Sequence, residues 1–172
     1  MVLRQRKNHG VSCGVDLLVS MLVRYPELAT VGFEPSQQSL CFTFLLTGGL
    51  EDKEFARARE SINASLQVYH QLVGNEQVEV DLSALPFGGL LVFEMRRDVD
   101  SLCQEEVSLL VELVRGHFGE RLIVEDSGGY GEDEMILQEE LIEEMLADLR
   151  DSGQEKDLIA IREEGRVMVF NK

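Results

Sequence analysis

Residues 40–46, LCFTFLL, constrain the fold more than any other stretch of this chain. Leu40, Phe42, Phe44 and Leu46 alternate with Cys41, Thr43 and Leu45, and neither series carries a charge. A period of two is that of a strand, and apolar side chains on both faces predict an inner strand rather than an edge. The chain has to build a sheet around this segment.

The flanking patterns supply the rest of that sheet and its cover. Val15, Leu18, Val19, Leu22 and Val23 form a helical stripe that stops near Tyr25, before Pro26. A strand near Ala29–Phe33 and a turn containing EPSQQS lead into residues 40–46. A second helix is predicted over Asp52–Leu72, with Phe55, Ile62, Leu66 and Tyr69 on its inner face. Val78, Val80 and Leu82 alternate with Glu79 and Asp81, a half-exposed strand, and LPFGG turns the chain into another strand, Leu90–Arg96. Ser101 is placed to cap a third helix, with Gln104 completing a capping box and Val107, Leu110, Val111, Val114 and Phe118 inward. A short strand, Leu122–Val124, precedes a glycine loop and a fourth helix, and DLIAIREEGRVMVFNK reads as a closing hairpin.

Shifting the chain by 80 residues lays Gly48 and Gly49 on Gly128 and Gly129, and Ile62 and Leu66 on Ile142 and Leu146. Two readings compete: an internal duplication, α-β-GG-α-ββ twice over pseudo-repeats 13–97 and 98–172, or chance likeness of two strand–helix units. Either way the expected fold class is α+β, a mixed, largely antiparallel sheet with about four helices packed on it. No linker composition divides residues 1–172, so one domain is expected.

Charge narrows the function classes. The net charge is −16, and residues 120–157 hold 14 acidic and three basic residues. Such a surface repels phosphate backbones and anionic membranes, which argues against nucleic-acid and membrane partners. No apolar run reaches the roughly 18 residues that span a bilayer. The start, MVLRQRKNHG, lacks the apolar core of a signal peptide, and three widely spaced cysteines suit reduced thiols. A cytoplasmic protein is expected.

Each motif that could carry chemistry also has a plainer reading. The glycine loops are followed by Glu51, Asp52 and Glu54, and by Glu132, Asp133 and Glu134, which would repel a phosphate; a turn with positive φ is the simpler account. Asp98, Glu125, Asp126 and Asp133 supply the hard oxygens that Mg or Ca prefers, although a solvated acidic turn is favoured. If Leu90–Arg96 ran parallel to Leu122–Val124, then Asp98, Glu125 and Asp126 would share an edge, with Arg96 or Arg97 to orient an anion. GVSCG matches the nucleophile elbow in letters only, because no buried strand precedes it, and Ser12 is better read as a helix cap. Cys13, near His9 and several arginines, is a candidate reactive thiol, a bystander cysteine being the plainer reading. Cys41 and Cys103 fit apolar patterns, and His9, His70 and His117 are too scattered to form a dyad.

Helix four carries Glu139, Glu140, Glu143 and Glu144 opposite Ile142, Met145, Leu146 and Leu149. Like charges four residues apart cost roughly 0.2–0.5 kcal/mol per pair, a cost that a basic partner would relieve. The leading expectation is a non-catalytic protein-interaction or regulatory module whose acidic surface meets a basic protein or a second copy of itself, with no cofactor. The alternative is a small-molecule or divalent-metal-dependent enzyme with its site at Asp98, Glu125 and Asp126.

Overall fold

Two tight hairpins frame the sheet. Gly88 and Gly89, at φ 56° and 81°, join one pair of strands, and Glu164 and Gly165, at φ 50° and 73°, join the other. Positive φ at both central residues is the type I′ turn, whose twist matches that of the strands it connects. The computed structural model describes residues 14–49, 51–74, 78, 80–125, 131–152 and 156–171. In these the chain forms a helix over residues 14–24 (α1), then β1 (Thr30–Glu34), β2 (Ser39–Thr47), α2 (Asp52–Val73), β3 (Asp81–Phe87) and β4 (Leu90–Asp98). The order continues with α3 (Gln104–Phe118), a 3-10 turn at Gly119–Arg121, α4 (Glu132–Ser152), β5 (Leu158–Glu163) and β6 (Arg166–Asn171).

The six strands form one sheet in the order β3-β4-β2-β1-β5-β6, and every pair is antiparallel. β2 lies inside it, between β4 and β1, as its uncharged alternation requires. One row of the register runs Leu82, Met95, Phe42, Val31, Ala160 and Val169. That row and its parallels face the helices. Leu17, Leu18, Met21 and Leu22 of α1, Ile62 and Leu66 of α2, Val107, Leu110 and Val114 of α3, and Ile142, Leu146 and Leu149 of α4 join it in a single core. Every strand residue of this core falls on the same face in the register, so the described helices cover one face of the sheet only. The fold is α+β, four helices on one side of a six-stranded sheet.

Several expectations are corrected in detail. β3 begins at Asp81 and runs through Pro86, three residues later than the Val78–Leu82 alternation suggests; proline is tolerated because β3 is an edge strand. Ser101 does not cap α3. Its hydroxyl and its N–H both donate to Asp98 Oδ2, at 2.6 and 2.9 Å, and Cys103 takes the N-cap position. Residues 122–124 contribute a single antiparallel bridge, Leu122 to Leu46, in place of a strand. The duplication is not confirmed: the first hairpin enters the sheet through its second strand, β4, and the second through its first strand, β5. Gly48 does adopt a positive φ, 76°, while Gly128 and Gly129 lie outside the described residues.

Candidate functional site: a polar groove between α2 and the sheet

The inward-facing series of β4 is Leu91, Phe93, Met95 and then Arg97, which places a guanidinium where the core pattern calls for a hydrocarbon. Arg97 is 1% exposed, and so is Glu106 in the first turn of α3. Arg97 Nε and Nη2 both donate to the Glu106 carboxylate, the second at 2.7 Å, a fork-to-fork pairing that fixes the relative orientation of β4 and α3. His70 of α2, 3% exposed, brings Nε2 to 2.5 Å from Glu106 Oε1. Arg97 Nη1 reaches Asp98 and, at 3.0 Å, the Ser101 hydroxyl. One carboxylate thus ties α2, α3 and β4 together, with a second carboxylate, Asp98, at the outer end of the chain of bonds.

Burial opposes ionisation of Asp98, but the Ser101 hydroxyl and N–H and the adjacent Arg97 outweigh it, and its carboxyl is held below the ordinary range. Above this network opens a groove of about 1160 Å³. α2 lines one wall with Asn63, Leu66, Gln67 and His70, which share a helical face, and the sheet lines the other with Ser39, Asp81, Arg96 and Asp98. Arg96 is balanced in turn by Glu34 and by Glu94 at 3.3 Å.

The groove opens between α2 and the β3–β4–β2 end of the sheet, and on the opposite side lies the face that the described helices leave bare. There Leu85 and Phe87 of β3 are 66% and 72% exposed and Phe170 of β6 is 48% exposed, with half-buried Leu45, Leu90, Val92, Ile159, Ile161 and Met168 in the strands between them. Cys41 belongs to the same face; burial first, and then Glu94, push its thiol well above the usual range.

The residues proposed from sequence are distributed unevenly over this architecture. Asp98 pairs with Ser39 at the start of β2, whereas Leu122 bridges Leu46, seven residues along the same strand. At a rise of about 3.3 Å per residue those positions are roughly 23 Å apart. The edge expected to join Asp98 to Glu125 is therefore not formed. Glu125 instead accepts the Gly165 N–H at 3.1 Å and faces Arg162, while Asp133 lies exposed in the first turn of α4. Asp126 and Cys13 lie outside the described residues, as does Ser12. Among the described residues no three His, Cys, Asp or Glu side chains converge on a metal position.

The acidic helix is also partly spent within the fold. Glu139 accepts from Arg24 Nη2 at 2.6 Å, and Glu143 accepts the Gln104 N–H at 2.8 Å, closing the N-terminus of α3. Glu140 and Glu144 remain exposed. Sequence reasoning missed His70 and Glu106, yet both stand on apolar stripes, His70 four residues after Leu66 and Glu106 four before Leu110. A charged residue on an inward stripe is the signal that finds such a network.

Among the described residues no helix is long and apolar enough to cross a membrane. No protein-family model, curated protein or solved structure matches this chain.

Proposed function

We propose that this protein is a non-catalytic interaction module that receives a protein partner on the bare face of its sheet. The observation that carries the reading is the one-sided cover of the sheet among the described residues, which leaves Leu85, Phe87 and Phe170 exposed on a face that also presents aliphatic residues and threonines, with its charged residues, Glu34, Asp81, Glu94 and Arg96 among them, gathered mainly toward one corner. An apolar face of this extent marks a contact surface, because water solvates it poorly and a partner removes it from water. The occupant fitted by the chemistry is a protein with an apolar contact patch and a basic surround. A net charge of −16 attracts such a partner and opposes the approach of a second copy.

The Arg97–Glu106–His70 network supports a structural role. Both oxygens of Glu106 are occupied, and Arg97 is held by four hydrogen bonds to three residues, so neither group is free to act on a substrate.

The test is site-specific photocrosslinking in cell extract. A photoreactive side chain at position 85 or 170 is expected to capture one and the same basic protein. The same group at position 60 of α2 or 112 of α3, both on exposed helical surface, is expected to capture none of it. Capture from the helical positions but not from the sheet would refute the reading, and capture of the chain by itself would replace the partner with a second copy.

A further inference from the structure

We infer that the outer edge of β6 receives an extended segment of the partner protein, which pairs with it as a further strand of the sheet. This assignment rests on the docking reading for the class of occupant, a protein, and adds how that protein is held. Glu164 and Gly165 make a two-residue turn, so Glu163 and Arg166 close it as a hydrogen-bonded pair. Bonding then alternates along the ladder. Arg166, Met168 and Phe170 turn their N–H and C=O groups toward β5, while Val167, Val169 and Asn171 turn theirs away from the sheet. Among the described residues no strand takes up that outward row.

The opposite edge of the sheet is guarded. Counting in the same way from the Gly88–Gly89 turn puts Leu82, Ala84 and Pro86 on the outward row of β3. Pro86 has no N–H to offer there, and Asp81 sets a charge at the start of the strand. β6 carries neither device: its central run is Val167, Met168, Val169 and Phe170. An uncharged edge with its donors and acceptors complete is a template for another strand, and extended peptides bind by joining such edges.

The side chains of β6 define the segment that fits. Val167 and Val169 face the helices and are only partly buried against the core, whereas half-buried Met168 and Phe170, 48% exposed, lie on the bare face. A strand laid beside β6 sets side chains against both pairs, so an occupant with β-branched or aromatic residues on both of its faces removes them from water. Phe170 also belongs to the face assigned to the partner, which makes edge and face one continuous surface. The net charge of −16 selects basic ends for the segment and disfavours a second copy of this chain.

The test uses the full chain and a synthetic peptide of alternating valine and threonine with a lysine at each end. Amide exchange followed by NMR is expected to be fast at Val167 and Val169 in the free chain, and slower by about tenfold or more with the peptide bound. Val169→Pro removes one outward N–H while leaving the bonds to β5, and is expected to weaken the peptide by about tenfold. An ester in place of the Val169 amide makes the same deletion without the proline ring, and the two are expected to agree. Leu85→Asp, on the far edge strand, is expected to leave peptide affinity unchanged. Equal loss in Leu85→Asp would place the peptide on the sheet face, ending this inference and sparing the docking reading. Slow exchange at Val167 and Val169 without peptide would also overturn it: a dependence on concentration would mean that a second copy covers the edge, and no dependence that another part of the chain does. Failure of the peptide to slow exchange at either residue would overturn it as well.

Discussion

Arg97 and Glu106 form a two-pronged ion pair between β4 and α3, each residue 1% exposed, and His70 of α2 closes on the same carboxylate. Removing one partner of such a pair leaves a buried charge uncompensated. Glu106→Ala is expected to cost about 3–5 kcal/mol, which lowers the melting temperature by roughly 6–20 °C in a domain of this size. Equilibrium urea unfolding checks the first figure. The double variant Arg97→Met with Glu106→Leu removes the stranded charge and is expected to lose less than the single one.

Asp98 gives the network a pH signature. Its folded-state carboxyl titrates below the ordinary value of about 3.9, so its contribution is complete above that value and disappears as pH falls through the lower, folded one. The stability difference between the parent and Asp98→Asn is expected to be constant from pH 7 to about 5 and to shrink below pH 4. Urea unfolding at a series of pH values measures it. A difference that widened on acidification would mean that Asp98 is held in its protonated form.

Two neighbouring glutamates on α4 separate structure from surface. Glu143 closes the first N–H of α3, so Glu143→Ala is expected to cost about 1 kcal/mol, the usual worth of a helix cap. Glu140 is exposed, and Glu140→Ala is expected to stay within about 0.5 kcal/mol of the parent. Thermal unfolding of the two variants side by side distinguishes them, and equal effects would remove the capping role.

Cys41 is expected to be slow toward thiol reagents. Its thiol is half-buried on the sheet and lies beside Glu94, and both effects disfavour the thiolate that reacts. In a chain with Cys13 and Cys103 replaced by serine, reaction with an aromatic disulfide at pH 8 is expected to run more than about tenfold slower in the native state than in urea. Comparable rates would place Cys41 in open solvent.

The sequence patterns reach the architecture further than the site. The 3.6-residue stripe from Phe55 to Tyr69 locates α2 to within a residue at each end, and EEGR locates the closing turn, because both signals are local. β3 is displaced because Pro86 reads as a breaker unless the strand is known to lie at an edge, and edge position is a property of the whole sheet. Residues 122–124 carry a strand's composition but meet β2 only where β1 has ended, which leaves room for one bridge. The buried network joins residues 36 positions apart, His70 to Glu106, and no local spacing encodes that contact. Its parity was legible all the same: Arg97 continues the inward series of Leu91, Phe93 and Met95.

The bare sheet face is the central claim, and affinity for the crosslinked partner tests it most directly. Leu85 and Phe87 are 66% and 72% exposed, so Leu85→Asp with Phe87→Asp is expected to leave unfolding unchanged within about 0.5 kcal/mol per substitution. Binding is a different matter, because two anchors are lost from the contact. Isothermal titration of the purified partner is expected to show at least a hundredfold weaker association with this variant than with the parent chain. Unchanged affinity in a folded variant would contradict the account and move the docking surface off the sheet.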